Sequence, residues 1–166
     1  MLSNIEFPAN VWPYLNLKQL GVELDVIQSP DGRITPEQID KAISPQTRLV
    51  ALSAVQFLSG YRADLVAIGE MSRRNGIIFA IDGIQAVGAI RIDVQAMKID
   101  ALAAGGQKWQ MSPHGTGFLY LTEEVQSRIH QKNLGGSPTE LVVRDLPLAA
   151  AIVGWTVSFS VLVYFK

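Results

Sequence analysis

The chain has 166 residues, 48% of them hydrophobic and 17% charged, with a formal net charge of −1. That composition excludes disorder as the expected state, and 14 basic against 15 acidic residues leave no cationic excess for nucleic acid. There is no cysteine and there are two histidines, His114 and His130, which removes disulfides, thiolate metal sites and a cysteine nucleophile and leaves little for a Ser-His-Asp triad.

The opening MLSNIEFPANVW lacks the basic start and apolar run of a secretory signal, so a cytoplasmic chain is expected. Glu23–Gln28 alternates in a strand-like way and ends in the turn Ser29-Pro30-Asp31-Gly32. Thr35 is a good N-cap for a short helix over Pro36–Ile43, with Ile39, Ala42 and Ile43 on one face. Arg48–Val55 is an apolar run of strand length. Ala63–Asn75 places Leu65, Ile68 and Met71 at helical spacing, with Arg73 and Arg74 in the last turn and Gly76 as the stop.

Ile77–Ile81 is a continuous apolar strand that ends at Asp82. Asp100–Ala104 and Phe118–Leu121 give two more strands, the second led in by Gly115-Thr116-Gly117. Strands that are apolar throughout and alternate with helices predict an α/β fold, a mostly parallel sheet covered by helices on both faces. Leu134–Pro138 (LGGSP) is the best candidate linker. Beyond it, Leu146–Phe165 holds 20 residues without a charge. The length suffices to span a bilayer, but Pro147, Gly154 and the hydroxyl residues dilute it, and Thr156–Phe165 alternates like a strand. A buried strand or a divergent tail is therefore preferred to a membrane anchor.

Open α/β sheets bind ligands beyond the carboxyl ends of their strands. Here those ends carry Ser53, Asp82 and, across two glycines, Gln107 and Lys108. Gly105 and Gly106 allow a turn and close approach of a ligand. A lysine held in such a place loses its proton more readily and forms Schiff bases, although most lysines are simply exposed. Asp82 has two plainer readings, a helix cap or a magnesium ligand. The second needs a GxxxxGK[ST] phosphate loop, which this sequence does not contain. Gln85 comes close to Asp82 if the chain turns helical after the strand.

From Glu6 to Tyr120 the chain resembles the large domain of the class V aminotransferase and cysteine desulfurase family, which has the fold type I aminotransferase architecture. The pieces that carry the resemblance are IEFPANVWPYL, DGRITPEQIDKAI, TRLVALSAVQFLSGYRADL, IGEMSRRNGIIFAIDGIQAVGAIRIDV and DALAAGGQKWQMSPHGTGFLYL, in the family's order and spacing. The D-x-x-Q after an apolar strand, followed by a lysine after a second strand, is the most specific part. The resemblance implies pyridoxal 5'-phosphate as cofactor and an amino acid as small-molecule substrate. It implies that Lys108 holds the cofactor as a Schiff base and moves the Cα proton. Asp82 would pair with the ring nitrogen, and Gln85 would hydrogen-bond the ring's phenolic oxygen. Many members carry Ser-Gly-His or a similar trio before the lysine to help hold the phosphate. Gln107 stands there in this chain and offers a hydrogen bond without a charge. Phe57 takes the place of an asparagine near the substrate.

The resemblance further implies a homodimer. It assigns residues 1–133 to a partial cofactor-binding large domain and 134–166 to a divergent apolar tail. Family members are more than twice this long, and their phosphate-binding turn and substrate-gripping arginine lie in segments that this chain does not match. Two readings follow. One is a cofactor-dependent enzyme acting at the substrate Cα, by transamination or a related reaction. The other is a non-catalytic remnant of such an enzyme. The absence of cysteine counts against desulfuration, because that reaction usually needs a cysteine to accept the sulfur.

Overall fold

The computed structural model describes residues 1–128 and 160–163. The elements run β1 (Leu2–Ser3), α1 (Pro8–Asn16), a 3-10 turn over Leu17–Leu20, β2 (Val26–Ile27), α2 (Pro36–Ala42), β3 (Leu49–Ser53) and α3 (Leu65–Arg74). They continue with β4 (Ile78–Asp82), β5 (Ala101–Gly105), β6 (Thr116–Leu121), α4 (Glu123–Ser127) and β7 (Ser160–Val163). Strands β3 to β7 form one sheet in that order, parallel except for the antiparallel β5–β6 pair. The parallel β1–β2 pair extends it, because the Ala51 N–H donates to the Met1 carbonyl at 3.1 Å.

Both faces of the sheet are covered, and β4 shows why its sequence is apolar without a break. Phe79 and Ile81 pack with Val50, Leu52 and Leu102 against Ile39 of α2 and Leu65, Ile68 and Met71 of α3. The residues between them, Ile78 and Ala80, pack with Ala51, Ala101 and Leu119 against Tyr14 of α1 and Val125 of α4. A strand buried on both sides gains nothing from alternating polar residues.

Local chemistry fixes the helix ends. Thr35 and Gln38 form a reciprocal capping box at α2, and Pro36 occupies the first turn. The predicted α2 runs one residue too far, since Ile43 is already extended ahead of Ser44-Pro45. Asp64 accepts from the Ala67 N–H and starts α3 two residues later than predicted. Gly76, with φ of +63°, lies just past its C-cap Asn75.

The predicted strand over Glu23–Gln28 shrinks to Val26–Ile27, which pairs with only two residues of β1 and leaves Val26 exposed. Among the described residues no helix is long and apolar enough to cross a membrane. Of the apolar stretch 146–165, residues 160–163 form β7 along β6; the rest, like the linker 134–138 and the boundary at 133–134, lies outside the described residues.

Candidate functional site

Three strand ends meet in register at one edge. Ser53 of β3 is opposite Asp82 of β4, which is opposite Ala103 of β5. Two backbone bonds of 2.8 Å lock this edge, from the Ala54 N–H to the Asp82 carbonyl and from the Gly83 N–H to the Ala103 carbonyl. The chain then turns helically. The Ala86 and Val87 N–H groups both donate to the Gly83 carbonyl, and the Ile84 N–H donates to Asp82 Oδ1 at 2.9 Å. Half-buried Gln85 stands in that turn. Among the described residues the other Asp82 oxygen, Oδ2, has no hydrogen-bond partner.

Lys108 is exposed, in the loop between β5 and β6. The Gly106 N–H donates to the Thr116 carbonyl at 2.8 Å and the Ser112 N–H to the Gly106 carbonyl at 2.9 Å, which closes the loop on itself. A Cβ on Gly106 would stand 2.6 Å from Thr116 Oγ1, so the loop has this shape only with glycine there. Gln107 folds back over Gly105, and its Oε1 is buried without a partner. The loop after β4 touches the Lys108 loop through Gly88, whose φ is +94° and whose Cα lies against the Trp109 carbonyl.

Burial pushes the Asp82 carboxyl up from 3.8 to about 6. The Ile84 N–H opposes that rise, the charge of Glu6 adds to it, and the charge of Lys108 lowers it again. Burial also raises the hydroxyl of Tyr14 in α1, with further contributions from Asp82 and Glu6. Asp82, Lys108, Glu6 and Tyr14 therefore share one electrostatic environment.

Of the expected site residues, Asp82 lies within electrostatic reach of Lys108, Gln85 stands in the turn after β4, and Gln107 stands in the loop after β5 against Gly105. Phe57 stands in the loop between the bridged residues Val55 and Arg62, in edge-to-face contact with Phe7 at 5.1 Å. Sequence reasoning missed Glu6, which is buried and accepts hydrogen bonds from Ser53 and Gln56. Its partners Ser3 and Asn10 are local, but Ser53 and Gln56 lie far along the chain, so no local signal marks Glu6 as part of the strand-end site. Among the described residues no group of three or more histidine, cysteine or acidic side chains is placed to hold a metal ion.

Residues 1–146 match the family model for aminotransferase class-V. A probable cysteine desulfurase of Methanothermobacter thermautotrophicus is 33% identical over 146 residues, which are 87% of this chain and 36% of that protein. The cysteine desulfurase IscS of Pseudomonas fluorescens is 34% identical over 161 residues, 96% of this chain and 39% of that protein. In three dimensions the cysteine desulfurase CsdA of Escherichia coli superposes with a TM-score of 0.70 at 23% identity, over 95% of this chain and 43% of that one. A structure of SspA in complex with cysteine gives 0.69 at 29% identity, over 95% and 45%. A mutant of C-DES, solved with glycine covalently linked to its pyridoxal phosphate cofactor, gives 0.68 at 19%, over 93% and 47%. The chain spans a little over a third of the length of the curated relatives it matches. It belongs to the aminotransferase class-V family.

Proposed function

We propose that this chain carries the central part of a pyridoxal phosphate site and that its reaction takes place at the Cα of an amino acid. The observation that supports this most is the placement of Asp82 and Lys108 on adjoining strand ends, near enough for the lysine's charge to stabilise the carboxylate. The residues fit the cofactor's chemistry. Asp82 Oδ2 is free to hold the proton of a ring nitrogen, and Gln107, whose Oε1 is buried without a partner among the described residues, lies against Gly105 in the loop that carries Lys108. Bound there, pyridoxal phosphate supplies an electron sink for negative charge at the substrate Cα.

The roles of the protein groups follow. Lys108 Nζ would hold the cofactor covalently and would be the group that carries the proton at Cα. Asp82 keeps the ring nitrogen protonated. Gln85 donates to the phenolic oxygen from the turn after β4. Gln107 offers its amide near the phosphate, without a charge. The names of the relatives favour a sulfur-bearing amino acid as substrate. With no cysteine among the 166 residues, a sulfur acceptor must come from elsewhere. We further propose that the protein works as a cytoplasmic homodimer.

The test is a visible-absorbance titration of the chain with pyridoxal phosphate, then borohydride reduction and peptide mapping. The expected result is a shifted band with the label on Lys108, both abolished in Lys108→Ala. An unchanged spectrum in that variant, or label scattered over surface lysines, overturns the assignment.

A further inference from the structure

Glu6 is a buried carboxylate, 6% exposed, and among the described residues no cation lies within ion-pair distance of it. Five hydrogen bonds satisfy it instead. Ser3 Oγ donates to Oε1 at 2.9 Å and Gln56 Nε2 to the same oxygen at 2.7 Å. Asn10 Nδ2 and the Ser53 N–H donate to Oε2 at 2.9 Å, and Ser53 Oγ donates to it at 2.5 Å. The donors come from β1, α1, the last residue of β3 and the loop that follows it. Two of the five come from Ser53, which stands in register with Asp82.

Stability alone is a poor reason for such a group, because a well-packed apolar side chain avoids the desolvation of a buried charge. The charge therefore calls for a use, and the nearest site is the strand end already described. We propose that Glu6 is a positioning residue of that site: it clamps the amino-terminal segment to the end of β3 and sets a fixed negative charge behind Asp82. The groups facing Asp82 are then Glu6, the Lys108 ammonium, the Tyr14 hydroxyl and the Ile84 N–H. Of these only Lys108 is cationic, and the proposed function gives that lysine to the cofactor. Glu6 then favours a proton shared between Asp82 and a bound ring nitrogen. That consequence rests on the cofactor reading; the coupling of Glu6 to Asp82 does not.

The experiment is a pH titration of carbon-13 labelled side-chain carboxyls by NMR, without cofactor, on the wild type, Glu6→Gln and Glu6→Asp. Removing the charge in Glu6→Gln should lower the Asp82 midpoint by about one pH unit, the order of effect of one nearby like charge. Glu6→Asp retains the charge and should leave the midpoint near that of the wild type. If the variants do not fold, the wild type decides: the Asp82 signal should follow a two-step curve, as a carboxyl coupled to a second carboxyl does. Equal shifts in both variants, or a single ordinary carboxyl titration of Asp82 in the wild type, overturn the proposal. Failure of the cofactor reading shows separately, as coupled carboxyls in a chain whose borohydride label misses Lys108.

Discussion

Gly88→Ala tests whether the loop after β4 and the Lys108 loop are in fixed contact. A Cβ at Gly88 would stand 2.6 Å from the Trp109 carbonyl oxygen, 2.8 Å from its carbon and 3.1 Å from the Gln110 nitrogen. All three are backbone atoms, so no rotamer change relieves the overlap. Separating the loops costs about 1–3 kcal/mol, as other overpacking does. The backbone adds about 1 kcal/mol, since φ is +94° and alanine lacks the freedom of glycine there. The sum is about 3 kcal/mol, or roughly 6–12 °C in Tm for a chain of this size. Gly76→Ala is the control. Its φ is +63° and nothing lies within 4 Å of the added methyl group, so it carries the backbone term alone. That term is about 1 kcal/mol, roughly 2–4 °C. Thermal unfolding of both variants beside the wild type measures the difference. Equal losses in the two variants would refute the contact, and with it the assembly of Gln85 and Lys108 into one site.

Two further outcomes follow from the same geometry. The folded-state carboxyl of Asp82 titrates near 6 against an ordinary 3.8, so the folded chain binds that proton more tightly and stability falls as pH rises between those values. Asp82→Asn should remove that fall, on the order of 2 kcal/mol, in urea unfolding at pH 4 and pH 7, while shifting any cofactor band. Loss of stability in Asp82→Asn at pH 7 would contradict the burial argument. Thr35→Ala breaks the capping box of α2 and should cost about 1 kcal/mol in the urea midpoint with an unchanged slope.

The elements that were legible in the sequence are those whose signals are local. The run IIFAI announces β4 because a strand buried on both faces is apolar throughout, and Thr35-Pro36 with Gln38 announces α2 because all three act within one turn. Helix α1 was not legible as a helix. Pro8 opens it and Pro13 lies within it, so its pattern is that of a broken segment, yet it carries Tyr14 into the core. Asp82 and Lys108 were legible as strand-end residues 26 positions apart, and only the register of β4 with β5 shows that they are neighbours. Glu6 was not legible at all. Its decisive partners, Ser53 and Gln56, are 47 and 50 residues away, and no periodicity reaches that far.

The row of alanines across the sheet explains why the site lies on the face it does. Ala51, Ala80 and Ala101 are in register on β3, β4 and β5, and two residues further along the same strands come Ser53, Asp82 and Ala103. Residues two apart on a strand share a face, so this row and the strand-end site face the same way, toward α1. The opposite face carries Val50, Leu52, Phe79, Ile81 and Leu102 and supplies the bulk of the apolar burial. Small side chains on the first face let α1 lie close, which seats Tyr14 against Ala51 and Ala80 and within the electrostatic reach of Asp82. The fold thus divides its labour by face. The bulky side holds the sheet to α2 and α3, and on the small side the buried Glu6 carboxyl and the half-buried Asp82 carboxyl come to one strand end, within electrostatic reach of the exposed Lys108.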